Sequence, residues 1–354
     1  MRHRPGLLGG QPLQQAPGGG GRCALQPRHR PHFPGGMGFP SGFGRPPALP
    51  SRRIFRPGGG TSLRAANIHS HEVMPLALVS FDLDGVLQRN PFHLGRPHGV
   101  FGHICRTLAP FVAEPEPEKA VLRRLVALHR ARAAAGDMVG CHDWDDIVNT
   151  IAREVGFPER IDVAGLVEAY CRMEGMIWAY PGAAECLDRL RAEGHTLVSV
   201  TNGFRCYQEP VQRVLGLLPR FAALITPDTA GAGKPQPSIY RAAEAYGGPP
   251  FIHVGDVLPH DIAGARAAGW LAIYIVQPLA PGYTPMPPAL AALPPWQRPA
   301  AGRAWLEERF AIDRRWHDYP PCELADCIPD AIVNHLEEVP AAVEHLVRAG
   351  PQGG

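Results

Sequence analysis

The sequence predicts an α/β fold in which a doubly wound parallel sheet carries an inserted all-helical domain. Short, almost wholly apolar runs recur along the chain, as is typical of strands that helices cover on both faces. Amphipathic helical stretches alternate with these runs, which indicates parallel strands joined by helical crossovers. One long interval after the first run holds only helical patterns, and this predicts the insertion.

Six apolar runs are assigned to the sheet, the last of them on a weaker pattern. The predicted strands are Leu76–Phe81, Thr196–Thr201, Ala222–Thr226, Phe251–Val254, Leu271–Val276 and Ala331–Asn334. In Ala183–Glu193, apolar residues share one helical face, and Gly194 supplies a C-terminal stop. The helices predicted for the sheet domain are Ala183–Glu193, Pro237–Tyr246, Asp261–Ala268 and Pro340–Val347.

The sequence divides into a sheet domain of residues 74–87 and 181–354 and a helical domain of residues 88–180. Residues 277–326 form a Pro-rich insertion with a helix near Arg303–Phe310, which we interpret as a surface excursion or an oligomer contact. The helical domain is predicted from four patterns, at Val100–Leu108, Glu116–Ala135, Trp144–Val155 and Val163–Glu174.

Residues 1–73 have the composition of a disordered tail. They hold 15 Gly and 11 Pro, and ten Arg against the single acid Glu72 give them a charge of +9. The whole chain carries +2, so residues 74–354 carry −7. Two interpretations are open: an arginine-rich arm for nucleic acid, or a non-functional extension upstream of Met74. The second is favoured, because the aromatic residues of the tail form no recognised binding pattern.

Composition excludes several classes of protein. No apolar run approaches the ~20 residues of a membrane span, and no apolar signal core follows the basic residues at the N-terminus. The eight Cys form no CxxC pair, so reduced thiols in a cytoplasmic protein are expected. His93, His98 and His103 share no helix face, so no histidine metal cluster is expected there. Cys141-His142-Asp143 is interpreted as the N-terminus of a helix.

Two predicted strands end in pairs of acids. Asp82 and Asp84 follow the first strand, and Asp256 and Asp261 follow Phe251–Val254. Because ligands gather at the carboxyl ends of parallel strands, these carboxylates are expected to converge. Their mutual repulsion must be offset by a cation or a shared proton, and an all-oxygen site suits Mg²⁺. Asp261 has an alternative interpretation as the cap of a helix.

Anion-binding groups follow two other segments. Thr201-Asn202-Gly203 ends a strand, where a hydroxyl and free backbone N–H groups can hold anionic oxygens. Lys234 is one of only two lysines among 35 basic residues. A compact ammonium on a flexible stem suits a point contact to phosphate or carboxylate, so Lys234 is a candidate site residue.

Taken in chain order, these four segments resemble the motifs of the haloacid dehalogenase-like (HAD) hydrolase superfamily. The motif segments are Asp82-x-Asp84-Gly85, Thr201-Asn202-Gly203, Lys234-Pro235 and Gly255-Asp256-x4-Asp261. The resemblance covers roughly residues 74–276 and resumes at about 329–346. It implies a Rossmann-like core, and it identifies the helical insertion as the cap domain that family members place after the first motif.

The resemblance also implies a role for each residue. Asp82 would be the nucleophile that forms an aspartyl-phosphate, and Asp84 would be the general acid and then the base for water. Thr201 and Lys234 would hold the phosphoryl oxygens, with Asn202 and Gly203 beside them. The Mg²⁺ site implied by the resemblance would comprise Asp82, Asp84, Asp256 and Asp261.

The function expected from this resemblance is Mg²⁺-dependent hydrolysis of a small phosphorylated metabolite. The acid at Asp84 favours a phosphate leaving group over halide, and Lys119 lies in a charged stretch that does not suit imine chemistry. Arg89 is a candidate contact to the organic part of the substrate. A phosphomutase shares all four motifs, and a non-catalytic protein that binds a phosphometabolite or nucleic acid is a less favoured alternative. Phosphoglycolate, a sugar phosphate and a nucleoside monophosphate all remain open as substrates, as does the oligomeric state.

Overall fold

The computed structural model describes residues 76–93, 98–278, 284–315, 317 and 320–350. The predictions made for residues 1–73 lie outside these ranges. Within them, none of the helices is long and apolar enough to cross a membrane.

The predicted α/β fold is confirmed by a six-stranded sheet in which every pair of neighbouring strands is parallel. The strand order is β5-β4-β1-β6-β7-β8, so the chain leaves the central β1 in both directions, as a doubly wound sheet requires. The strands are β1 (Leu78–Phe81), β4 (Thr196–Val200), β5 (Ala223–Ile225), β6 (Phe251–Gly255), β7 (Leu271–Ile275) and β8 (Ala331–Val333).

Two further strands lie within the interval where the sequence predicted only helices. β2 (Gln88–Arg89) and β3 (Trp178–Ala179) form an antiparallel pair that joins the two ends of the helical insertion. Two residues are too few to show a period of two, so the sequence pattern could not reveal them. The pair brings the entry and the exit of the insertion together beside the end of β1.

Helices pack on both faces of the sheet. α5 and α13 contribute to the apolar cluster on one face, while α8, α9 and α12 contribute to the cluster on the other. The helices are α1 (Val100–Leu108), α2 (Pro117–Ala134), α3 (Trp144–Glu154), α4 (Val163–Tyr170), α5 (Ala183–Ala192), α6 (Arg205–Val214), α7 (Pro227–Ala230), α8 (Pro237–Ala243), α9 (Ala263–Ala267), α10 (Pro288–Ala291), α11 (Arg298–Ala301), α12 (Arg303–Asp313) and α13 (Val339–Ala349).

The helical insertion has an apolar cluster of its own, formed by α1 to α4 together with Tyr207 and Val211 of α6. Tyr207 also links the two parts through polar contacts, because its hydroxyl donates to Asp145 Oδ2 at 3.0 Å and accepts from the Asp145 N–H at 2.9 Å. Asp143 begins α3 by accepting from the Asp146 N–H, as the helix start predicted there requires. Whether the insertion acts as a separate cap remains a prediction.

The Pro-rich stretch of residues 277–326 is not a surface excursion over its described part. Trp305, Leu306 and Phe310 of α12 are buried in the cluster on one face of the sheet. At the end of the same helix, Asp313 accepts a hydrogen bond of 2.9 Å from the backbone N–H of Leu258. This stretch therefore supports the loop that follows β6.

Candidate active site

The carboxyl ends of β1 and β6 and the loop after α7 bring three charged side chains together. The Lys234 Nζ lies 2.6 Å from Asp82 Oδ1 and 2.6 Å from Asp261 Oδ1. All three side chains are at least nine-tenths buried, at 4%, 10% and 1% exposure respectively. A single ammonium thus bridges two carboxylates that water scarcely reaches, which is the charge compensation that such a pair of acids needs.

Burial and charge shift the pKa values of these groups in different directions. Burial raises the pKa of Asp82 to about 7 in the metal-free protein, although Lys234 pulls it down. Burial also opposes ionisation of Asp261, but Lys234 and His253 outweigh it and hold the pKa of Asp261 well below its usual range. Burial alone would lower the pKa of Lys234, yet Asp261 and Asp82 raise it above its ordinary value. Asp261 is therefore the permanently ionised partner of Lys234.

Asp261 is held from several sides. Its Oδ2 accepts from the backbone N–H groups of Asp256 at 3.0 Å and Val257 at 2.9 Å. Its Oδ1 also lies 3.2 Å from Nε2 of His253, whose Nδ1 lies 2.7 Å from Ser80 Oγ. Both oxygens are therefore engaged by protein groups, so Asp261 positions Lys234 and the loop after β6.

Asp256 differs from Asp261 in the hydrogen bonding of its carboxylate. Its Oδ1 is buried and meets no hydrogen-bond partner in the part of the chain that the structure describes. Burial, followed by the charges of Asp82 and Asp261, raises the pKa of Asp256 well above its usual value. One oxygen from each of these three acids lies within 4.8 Å of the others. An unpartnered buried oxygen in an all-carboxylate cluster fits a hard divalent cation such as Mg²⁺.

Gly85 is required by the same cluster. Its φ is +97°, and a Cβ added there would lie 2.1 Å from Asp256 Oδ2. A side chain at this position would therefore strain the backbone and displace the carboxylate. The glycine that follows Asp84 thus leaves room for the Asp256 carboxylate next to β1.

Asp84 is held by two buried amides that sequence reasoning missed. Its Oδ2 accepts from Gln208 Nε2 at 2.6 Å and its Oδ1 from Gln88 Nε2 at 3.2 Å. The amides are linked, because Gln88 Nε2 lies 2.8 Å from Gln208 Oε1 and Gln88 Oε1 accepts from Gln212 Nε2. The sequence signal for these amides was the spacing of four residues between Gln208 and Gln212, which places both on one face of α6. Because that buried face carries polar residues, it lacks the continuous apolar stripe that predicts a helix.

Thr201 follows β4 and is buried, and its Oγ1 accepts a long bond of 3.4 Å from the Gly203 N–H. Asn202 binds the backbone of Lys234 twice: its Oδ1 accepts from the Lys234 N–H at 2.7 Å, and its Nδ2 donates to the Lys234 carbonyl at 3.1 Å. The amide therefore fixes the loop that carries Lys234. Its predicted contact with substrate stays a prediction.

One cavity of about 390 Å³ connects these groups. Arg89 reaches it from β2, at the start of the helical insertion. Histidines that sequence reasoning did not assign to the site also line the cavity: His129, His142, His260 and His317. All nine predicted site residues line it: Asp82, Asp84, Arg89, Thr201, Asn202, Gly203, Lys234, Asp256 and Asp261.

The chain is similar in sequence to proteins that are named as phosphatases. It is 33% identical over 140 residues to a phosphoserine phosphatase of Thermus thermophilus, a match that spans 36% of this chain and 56% of the relative, or little more than half its length. It is 26% identical over 227 residues to a phosphoglycolate phosphatase of Pasteurella multocida, covering 62% of this chain and 92% of that one. A solved HAD phosphatase from Thermococcus onnurineus aligns with a TM-score of 0.46 at 25% identity, over 59% of this chain and 90% of that chain.

The match to a family spans the site itself. The family model of the haloacid dehalogenase-like hydrolases matches residues 76–269, which is more than half of the chain. The matched stretch begins before Asp82 and ends after Asp261, so it includes every strand end that contributes to the cluster. The chain therefore belongs to the haloacid dehalogenase-like hydrolases.

Proposed function

We propose that the protein is a Mg²⁺-dependent phosphatase that hydrolyses a small phosphomonoester through an aspartyl-phosphate on Asp82. The observation that carries the proposal is the Lys234 ammonium, 2.6 Å from both Asp82 Oδ1 and Asp261 Oδ1, next to an Asp256 oxygen that has no hydrogen-bond partner among the described residues. Relatives named as phosphoserine and phosphoglycolate phosphatases support the same reaction class.

In the first step, Asp82 attacks phosphorus. Lys234 binds its Oδ1, which leaves Oδ2 to form the new bond to phosphorus as the ester P–O bond breaks. The leaving oxygen needs a proton, and Asp84 supplies it. The two amides that hold Asp84 keep its carboxyl oriented towards the cavity, so the proton is delivered from a fixed position.

In the second step, Asp84 accepts a proton from the attacking water. The water oxygen bonds to phosphorus as the bond between Asp82 and phosphorus breaks, and inorganic phosphate leaves. Asp82 is again a carboxylate and Asp84 is again the protonated acid. Thr201 and Lys234 line the cavity where the three non-bridging oxygens gather charge, so they are assigned to hold those oxygens. Each carboxylate thus takes part in both halves of the reaction.

Asp82 and Asp256, with Asp84, are the residues that would hold Mg²⁺. When bound, the ion offsets the repulsion between an anionic carboxylate and an anionic phosphate. Both oxygens of Asp261 are already engaged by protein groups, so Asp261 would support this site indirectly, by positioning Lys234 and the loop after β6. Residues 88–180 would act as a cap, and Arg89 would contact the organic part of a substrate small enough for a cavity of about 390 Å³.

The test is a screen of phosphorylated metabolites with Mg²⁺, comparing the parent with Asp82→Asn and with Asp188→Asn. Asp188 pairs with Arg220 at the surface, so it is the matched control for the same substitution. We expect phosphate release in the parent and the control, and loss of turnover in folded Asp82→Asn. Release by Asp82→Asn at the parent's rate would remove the covalent mechanism. Release that requires an added bisphosphorylated sugar would indicate a phosphomutase instead.

A further inference from the structure

Three side chains of the helical insertion converge on the cavity and have no part in the mechanism above. His129 lies on α2, while Cys141 and His142 belong to the 3₁₀ turn Gly140–His142 that precedes α3. One ligand atom from each lies within 4.8 Å of the others, and all three residues line the cavity. Imidazole and thiol groups are the ligands that Zn²⁺ prefers, whereas Mg²⁺ prefers oxygen.

The ring of His129 is fixed in one orientation. Its Nδ1 lies 2.6 Å from the carbonyl oxygen of Cys141, and its ring stacks on Trp144 at 5.4 Å with an interplanar angle of 20°. A carbonyl oxygen can only accept, so Nδ1 carries the hydrogen and the lone pair remains on Nε2. Metal-binding histidines are held by this kind of bond to a backbone carbonyl.

His142 supplies the second observation. Its Nε2 is buried, and the described ranges offer it no hydrogen-bond partner. Leaving such an atom without a partner is unfavourable, and a bound ligand would relieve that cost. The ring of His142 lies 5.3 Å from that of His129, so both imidazoles border the same small space.

We propose that His129, Cys141 and His142 form a second metal site, selective for Zn²⁺ and related transition metals, with a fourth position open to the cavity. The protein supplies two nitrogens and one sulfur, which are ligand atoms that bind Zn²⁺ and which leave a fourth position for an exchangeable ligand. Cys141 binds as the thiolate, so its proton is released to solvent when the metal enters. The bound ion links α2 to the start of α3.

The alternative occupant of this space is an anionic group of the substrate, held by protonated imidazoles. A thiol is a poor ligand for an anion and a good ligand for a transition metal, so the buried Cys141 in this cluster favours the metal. The proposal stands apart from the phosphatase reaction, because none of its three ligands is assigned a catalytic part.

The test is a titration of the full chain with Co²⁺ in the presence of excess Mg²⁺, which occupies the carboxylate site. We expect one equivalent of Co²⁺ with a thiolate-to-cobalt absorption band, displaced by Zn²⁺ but not by Mg²⁺. Native mass spectrometry of the parent gives the stoichiometry without any variant. An absent band, or one that Mg²⁺ abolishes, would contradict the proposal.

Variants locate the metal. Cys141→Ser should remove the thiolate band, and His142→Gln or His129→Gln should weaken binding by more than about 100-fold, since loss of even an outer partner costs 10–100-fold. Cys322→Ser is the control: Cys322 Sγ lies 3.7 Å from Cys327 Sγ, outside the proposed site, so this substitution should leave the band unchanged. A band that survives His142→Gln, or that Asp256→Asn removes, would place the metal elsewhere. A rise in KM in His142→Gln without any Co²⁺ binding by the parent would favour the anion.

Discussion

Lys234→Met should destabilise the protein strongly, because it leaves two buried carboxylates without their cation. Lys234 Nζ contacts Asp82 and Asp261 at 2.6 Å each, and its side chain is 4% exposed. Removing one partner from a buried ion pair costs about 3–5 kcal/mol, and here both acids lose it. Urea unfolding of the metal-free protein at pH 8, where both acids are ionised in the parent, measures the change in the free energy of unfolding.

A double-mutant cycle assigns this loss to the charge. In Lys234→Met combined with Asp82→Asn, only one buried carboxylate loses the ammonium. The loss in free energy of unfolding should therefore be smaller in the double variant than the sum of the two single losses, by about 1–3 kcal/mol. Lys119→Met changes the only other lysine of the chain, whose pair with Glu116 is solvent-exposed, and should leave the unfolding midpoint unchanged. Additive effects, or a loss below about 1 kcal/mol in Lys234→Met, would refute the bridging role.

Three other perturbations have defined outcomes. Gly85→Ala should weaken Mg²⁺ binding in calorimetry by about tenfold or more, since the new Cβ would lie 2.1 Å from a metal-site carboxylate oxygen. Gly136→Ala has a similar positive φ, +80°, with nothing within 4 Å, so it should cost stability alone, about 1–2 kcal/mol. Gln208→Met removes the 2.6 Å bond to Asp84 and should lower kcat about tenfold with KM little changed; an unaltered kcat would show that the amide does not position the acid. The raised pKa of Asp82, about 7 against 3.8, means that the folded metal-free protein binds the extra proton, so this group's contribution to stability falls as pH rises from about 4 to 7. Stabilisation by Mg²⁺ in thermal melts should therefore grow over the same range in the parent, and it should grow less steeply in Asp82→Asn, where Asp256 remains as a protonated ligand.

The sheet could be predicted because its strands are buried on both faces. β1 and β6 are nearly continuous apolar runs, and acids directly after them must lie at the edge where ligands bind. The strand bounds shifted by one or two residues at most, as at Leu76–Phe81, where the strand begins at Leu78. The position of each acid directly after an apolar run was therefore enough to predict that Asp82 and Asp256 lie at one site.

The supporting residues could not be predicted because their contacts depend on register and packing. His253 faces Ser80 only because β6 pairs with β1 in the observed register. α6 went unpredicted, since its buried face carries Gln208 and Gln212 and its interior contains Pro210. His129 and the turn at 140–142 are separated along the chain and meet only through the packing of the helical insertion.

The most direct test of Asp82 as the nucleophile is oxygen exchange between ¹⁸O-labelled inorganic phosphate and water, followed by mass spectrometry. This measurement needs no knowledge of the natural substrate, because phosphate itself forms the aspartyl-phosphate in the reverse of the second step. We expect Mg²⁺-dependent loss of label in the parent and none in Asp82→Asn. Exchange that continues in Asp82→Asn at the parent's rate would contradict the assignment of Asp82 as the group that bonds to phosphorus.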